Sequence, residues 1–273
     1  MKFLKSVMER KTSNMKMISF SNKKGGVGKT TLCKNVAYKF ALENKKVLLI
    51  DLDTQATISF AVSNKNIDFN KTLNKVILDL EEIKVKKVIQ PTKYKNIDII
   101  VGGEKLRNIN LLIKELYNDY QNKKENIAEN IYIKNQEIFD SYHYVLIDYP
   151  PTVDDFSLDW LLISDLILIP INEGISSFKG ILDLINSLKY IANKTERNIP
   201  KHNIIFNNIK DNENLEIIES YLKEKNIFNC CFPFRIKSSK SFLSAENELA
   251  SIWDNQYYWR QKQAYEELIQ EIK

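Results

Sequence analysis

Residues 21–31 read SNKKGGVGKTT. Three of the chain's seven glycines, Gly25, Gly26 and Gly28, fall within four positions. Lys23 and Lys24 stand before them and Lys29 after. The stretch ends a β-rich run, MISFS (17–21). It opens the segment KTTLCKNVAYKFALE, with Leu32, Val36, Ala37 and Phe40 on one helical face. A glycine loop between strand and helix lets backbone N–H groups converge on phosphates, and the helix N-terminus adds partial positive charge. The spacing fits G-x-x-x-x-G-K-[ST] except at its first position, where Lys23 replaces glycine. In this reading Gly25, Gly26, Val27 and Gly28 cradle the phosphates. Lys29 reaches the β- and γ-phosphates, the Thr30 hydroxyl binds Mg²⁺, and Thr31 sits near the α-phosphate.

Outward from the loop, the pattern alternates. KVLLID (46–51) is a continuous apolar run, and NIDIIV (96–101), YHYVLID (142–148), DLILIPI (165–171) and HNIIFN (202–207) read as further strands, with CCFPF (230–234) a shorter one. Helical spacing falls between them, near 72–80, 104–139, 155–163, 177–194 and 213–225. It returns in the tail at 256–272, where Tyr257, Tyr258, Ala264, Leu268 and Ile272 are the apolar positions. The expectation is an α/β fold: a doubly wound, mostly parallel sheet with helices on both faces, of P-loop NTPase type. Residues 1–15 read as an N-terminal extension, with Phe3, Leu4, Val7 and Met8 at helical spacing among basic residues. Residues 16–273 read as a single P-loop ATPase domain, with NDYQNKKEN (118–126) as an exposed bend.

A chain of 273 residues with 44% hydrophobic and 27% charged residues buries a sizeable core without staples. The net charge of +5 admits an anionic partner without arguing for one. Cys33, Cys230 and Cys231 lack metal-ligand spacing and read as reduced thiols. No apolar run approaches the roughly 20 residues of a membrane span, so integral membrane association is not expected and a cytoplasmic location is.

Two acidic strand ends complete the chemistry. Asp51 and Asp53 follow a buried strand in VLLIDLDTQ, and Asp148 ends another in YVLIDYPP, at the carboxyl edge where such sheets bind ligands. Asp148 is placed as a Walker B residue in the Mg²⁺ shell. Asp51 reads equally well as a support for the loop.

KGGVGKTT, DLDTQA and LIDYPP together resemble the deviant Walker A ATPases of the ParA/MinD group, closest to the short, Soj-like ParA partition ATPases, from about Met17 to the C-terminus. The resemblance implies ATP and Mg²⁺ as cofactors and Mg²⁺-dependent hydrolysis that is slow without a partner. It implies that Lys24 reaches across a nucleotide-sandwich homodimer to the partner's phosphates, so that Lys24, Lys29 and Asp53 are the catalytic set. Asp53 would orient the attacking water and contribute to the metal shell through water, and Asp148 would hold Mg²⁺ through water. Asn207 and Pro233, within Phe232–Arg235, would lie against the adenine.

The branch within the group follows from what accompanies the motifs. The cysteines do not suit an iron–sulfur cluster shared by a dimer, and the acidic end QAYEELIQEIK does not suit a MinD-type membrane helix. The ParA branch implies non-specific DNA binding by Arg235, Lys237 and Lys240, with Lys210 near a second such position, and a nucleoid-associated protein. It also implies a ParB-like centromere-binding partner that stimulates hydrolysis. With about 20 residues before the loop, an operator-binding helix-turn-helix domain is not expected. The alternative is a MinD-like or other positioning ATPase acting on a membrane or a protein cargo.

Overall fold

The structure is a computed structural model that describes residues 14–78, 84–116, 126–210, 213–239, 250–254 and 258–273. Its strands are β1 (Lys16–Phe20), β2 (Val47–Asp51), β3 (Gln90–Pro91), β4 (Ile97–Ile100), β5 (Tyr144–Asp148), β6 (Leu166–Ile171), β7 (Lys201–Ile209) and β8 (Cys231–Lys237). They form one sheet in the order β3-β4-β2-β5-β1-β6-β7-β8. Every pairing is parallel except the two-residue β3 against β4.

The helices are α1 (Lys29–Leu42), α2 (Thr57–Val62), α3 (Leu73–Leu78), α4 (Ile109–Leu116), α5 (Ile127–Lys134), α6 (Gln136–Asp140), α7 (Asp155–Leu162), α8 (Ile175–Lys194), α9 (Glu213–Glu224) and α10 (Trp259–Ile272). Side chains alternate across a strand, so each central strand feeds two cores. Val47 and Leu49 face α1, α2 and α10, together with Ile18, Leu146 and Leu168. Leu48 and Ile50 face the opposite layer, built on α3–α9, with Val145, Ile147, Ile167 and Ile169. The continuous apolar runs are therefore strands buried on both faces, and the doubly wound expectation holds.

Element boundaries depart from the sequence reading in instructive places. The stretch 104–139 is not one helix. Gly103, at φ 136, breaks the chain into a short 3-10 turn before α4, and Asn126 starts a new helix by accepting the Glu129 N–H at 2.8 Å. The sequence reading misses α2 and β3 because six and two residues carry too little periodicity. The last helix, α10, is described from Trp259, within the tail read as helical from 256. Beyond Ala264, Leu268 and Ile272, the tail buries Tyr265 and Ile269. Residues 1–13 of the extension, the bend at 118–125, Tyr257 and Lys240 lie outside the described residues.

The topology positions the site. Phe20 and Asp51 both pair with Asp148 across neighbouring strands, so β1, β2 and β5 end level at one edge. The connections after these three strands carry the glycine loop, Asp53 and the YPP turn. Sequence separations of about a hundred residues thus converge at the carboxyl edge, beside the switch point of the sheet.

Candidate functional site

The loop begins where β1 ends. Asn22 is buried and donates to the Pro170 carbonyl at 2.9 Å, which ties the loop's entry to β6. Gly180 lies in α8 directly against it, and a side chain there would collide with Asn22. Lys23 donates to Ser187 Oγ at 2.6 Å, also in α8. The lysine that occupies the motif's first glycine position is therefore an anchor. Lys24, next to it, is exposed.

Gly26 and Gly28 take φ values of 75° and 91°, in the left-handed region that favours glycine. Gly28 has a second reason to be glycine, because a Cβ would strike the Asn207 side chain. Asn207 in turn donates from Nδ2 to the Val27 carbonyl at 2.9 Å. The structure places Asn207 beside the loop, with its amide engaged by the Val27 carbonyl. Gly25 lies beside Pro151 of the YPP turn.

Lys29 opens α1 and is only 7% exposed. Its ammonium donates to the Lys24 carbonyl at 3.0 Å. Burial lowers its pKa, while the nearby carboxylates of Asp148 and Asp53 oppose that shift. An ammonium with three donors held by one neutral acceptor is ready to take anionic oxygens.

The acidic side is layered. Asp51 is fully buried and accepts from the Asp53 N–H at 2.9 Å, the Ser59 N–H at 3.2 Å and the Ser59 hydroxyl at 2.6 Å. It braces the turn, resolving the choice left open by sequence. Burial pushes its pKa up to about 6 against these hydrogen bonds. Asp53 is half-buried and accepts the Gln55 N–H at 2.9 Å. Its own carbonyl accepts the Gly103 N–H at 3.0 Å, and Gly102 leaves no room for a Cβ against Asp53 and Asp51. Ala56 closes the turn at φ 54°, a strained value for alanine. Ser59, Gly102 and Gly180 escaped sequence reading because their roles are contacts at long range.

Asp148 differs from Asp51. It is buried, and neither carboxylate oxygen has a hydrogen-bond partner. Burial raises its pKa well above the usual range, Asp51 adds to the rise, and the Thr30 hydroxyl and Lys29 oppose it. A buried carboxylate with both oxygens unpaired, facing a threonine hydroxyl and a lysine, fits a divalent cation shell of oxygen ligands. Thr30, and Asp148 and Asp53 through water, are the side chains that could hold Mg²⁺.

These two raised carboxylates fix a pH dependence. Each binds a proton more readily in the folded chain than in the unfolded one. Their contribution to stability is therefore full below the unfolded value of about 4 and falls as pH rises through the folded value, about 6 for Asp51 and well above the usual carboxylate range for Asp148. The metal-free protein is expected to melt at a lower temperature at pH 7.5 than at pH 5. Asp148→Asn should raise the melting temperature at pH 7.5 by a few degrees and narrow that difference. A lower melting temperature for the variant at pH 7.5 would contradict the assignment of an unpaired buried charge.

The remaining candidates lie elsewhere. Pro233 is exposed on β8, an edge strand, where the pairing to β7 shifts register between Ile204 and Phe206. That is the position in a sheet that tolerates proline, and it lies below the level of Asn207, which pairs with Ile236. The structure does not bring Pro233 to the loop. Arg235 and Lys237 lie further along β8 and line a groove with Arg260, Gln263 and Glu267 of α10. Arg235 is paired to Glu219 at 2.6 Å and stacks over Phe206. Lys210 follows β7 and is exposed. Among the described residues no helix is long and apolar enough to cross a membrane, and no cluster of three or more His, Cys, Asp or Glu forms a metal centre.

A family model described as an AAA domain matches residues 15–201, a span that contains the glycine loop, Asp53 and Asp148. The sporulation initiation inhibitor protein Soj of Bacillus subtilis is 23% identical over 234 residues, covering 83% of this chain and 87% of Soj. Among solved structures, apo McdA from Cyanothece superposes with a TM-score of 0.76 at 18% identity, covering 94% of this chain and 99% of that one. A protein assigned to plasmid partition in Borrelia burgdorferi B31, bound to AMPPNP, gives a TM-score of 0.67 at 25% identity over 94% and 97% of the two chains. With its loop, strand-end aspartates and sheet order in place, the chain belongs to the ParA/MinD/Soj superfamily of P-loop ATPases, whose cofactors are ATP and Mg²⁺.

Proposed function

We propose that residues 16–273 work as one ATPase domain that positions DNA by binding it as an ATP-loaded dimer and releasing it on hydrolysis. The observation that carries the reading is the division of labour among the three loop lysines. Lys23 is tethered to α8 and Lys29 is buried at the phosphate position, while Lys24 is exposed. A cation held at the mouth of the loop is placed to serve a second copy.

The steps follow from the residues. Phosphate entry gives the Lys29 ammonium anionic oxygens in place of the Lys24 carbonyl. The loop N–H groups and the start of α1 stabilise the charge that grows on the β,γ-bridge and γ-oxygens. Mg²⁺, which Thr30 and Asp148 would hold, would supply neutralisation of the phosphate charge. Asp53 hydrogen-bonds and orients the attacking water, and its turn is braced by Asp51 and Gly103. Lys24 from the facing copy adds positive charge at the γ-phosphate, which couples dimerisation to nucleotide state.

Lys24→Ala is expected to weaken the ATP-dependent dimer by about thirtyfold, because a charge buried against phosphate at an interface is lost. Sedimentation of both proteins with ATP–Mg²⁺ and with ADP measures it. An unchanged dimer in the variant would remove Lys24 from the interface.

For the surface the dimer binds, Arg235 and Lys237 on β8, Lys210 and Lys240 are the DNA candidates, and a ParB-like centromere-binding protein is the partner that stimulates release. The relatives named for partition support this reading: a ParA family protein of a Chlamydia psittaci virulence plasmid, and the chromosome partitioning protein ParA of Myxococcus xanthus. The state of Arg235 favours a second reading. Its pairing with Glu219 and the nearby Glu267 leave the β8–α10 groove with little net positive charge. Charged residues and a proline on an edge strand also serve to block edge pairing. In the second reading the same ATP-driven dimer positions a protein or membrane cargo.

A further inference from the structure

The middle of α1 buries two polar residues, Lys34 and Asn35. Asn35 Nδ2 donates to the Thr31 carbonyl at 2.9 Å, one turn back towards the loop. Asn35 Oδ1 accepts the Ile252 N–H at 3.2 Å, and the Asn35 carbonyl accepts Trp253 Nε1–H at 2.8 Å. Lys34 Nζ donates to the Ala250 carbonyl at 3.2 Å. Burying an amide is costly unless it is satisfied, and apolar packing would have joined these elements without it. The polar bridge also continues outward. The Trp253 ring stands edge-on to Tyr265 of α10 at 6.2 Å, and α10 forms one wall of the Arg235–Lys237 groove.

We propose that Asn35 is a positioning residue for the nucleotide. It locks the turn bearing Thr30 and Thr31 to residues 250–253, so that occupancy of the loop is transmitted to Trp253 and the start of α10. The inference rests on the assignment of Thr30 and Thr31 to Mg²⁺ and phosphate. When phosphate fixes that turn, the Thr31 carbonyl fixes the Asn35 amide, and the amide fixes the Ile252 N–H. Linkage is reciprocal, so the same tether sets how tightly ATP is held.

The three tryptophans make it measurable. In a Trp259→Phe protein, ATP–Mg²⁺ is expected to change the emission, and adding Trp253→Phe should abolish the change and so identify its source. Asn35→Ala should abolish it too, while raising the KM for ATP at least about fivefold and leaving kcat within about twofold, a split that a general loss of folding does not produce. Amide exchange of residues 250–254 in the unmodified protein needs no substitution, and it is expected to slow at least about fivefold on saturation with ATP–Mg²⁺. An exchange rate indifferent to ATP, or a Trp253 signal that survives Asn35→Ala, overturns the proposal. If equilibrium dialysis shows that the unmodified protein binds no ATP, the reading of the loop fails first and this inference falls with it.

Discussion

Lys29→Ala is expected to lose productive ATP binding, with kcat/KM for hydrolysis falling about a hundredfold or more. Lys29 is the one loop lysine that is buried, with its ammonium bonded to the Lys24 carbonyl and near the carboxylates of Asp148 and Asp53. On the proposed reading, removing it deletes the cation that meets the β- and γ-phosphates. It also leaves Asp148, buried and unpaired, without the lysine that opposes its raised pKa. Replacement by arginine should not restore activity, since the enclosed position suits a compact ammonium and has no matching fork of acceptors. The measurement is ATP affinity by equilibrium dialysis beside turnover by phosphate release. Lys23→Ala is the useful comparison, because Lys23 is bonded to Ser187 in α8 and should affect turnover far less.

The second large effect is of the opposite kind. Asp53→Ala should keep ATP affinity within about threefold and reduce turnover about a hundredfold or more. Asp53 is half-buried and has backbone support on both sides, through its N–H to Asp51 and its carbonyl to Gly103. The turn therefore survives loss of the carboxylate, and what disappears is the acceptor proposed to orient the water. Asp51→Ala should behave differently. It takes away the acceptor of three hydrogen bonds inside the core, so stability and activity should fall together. Turnover at the normal rate in Asp53→Ala would assign water positioning to another group.

How much of this was legible in the sequence depends on the range of each interaction. The glycine loop was readable because its parts are contiguous and its geometry needs particular residue types: left-handed backbone at Gly26 and Gly28, then Lys29 and Thr30 at a helix start. The central strands were readable because burial on both faces removes alternation, as in VLLID and LILIPI. The resemblance assigned Asp53 to the attacking water but left the part of Asp51 open; Asp51 ends β2 with Asp53 two residues beyond, and only Ser59, eight residues on, shows that Asp51 faces inward. Asn35 was hidden for the same reason, since its partners at 252 and 253 have no signal in the sequence around position 35. Pro233 was placed near the nucleotide by resemblance, and the fold puts it on the edge strand β8, beside a register shift. Arg235 was read as a DNA contact, and only the fold shows Glu219 against it.

The measurement that tests the central claim most directly uses the hydrolysis-deficient Asp53→Ala protein, titrated onto a random-sequence DNA duplex with ATP–Mg²⁺ and then with ADP, at stepped salt. The account predicts binding with ATP and none with ADP. It further predicts that affinity falls steeply with salt as phosphate counterions are released, and that Arg235→Ala and Lys237→Ala weaken it. A protein that dimerises with ATP yet ignores DNA in both nucleotide states would contradict the partition reading and leave a positioning ATPase for another cargo.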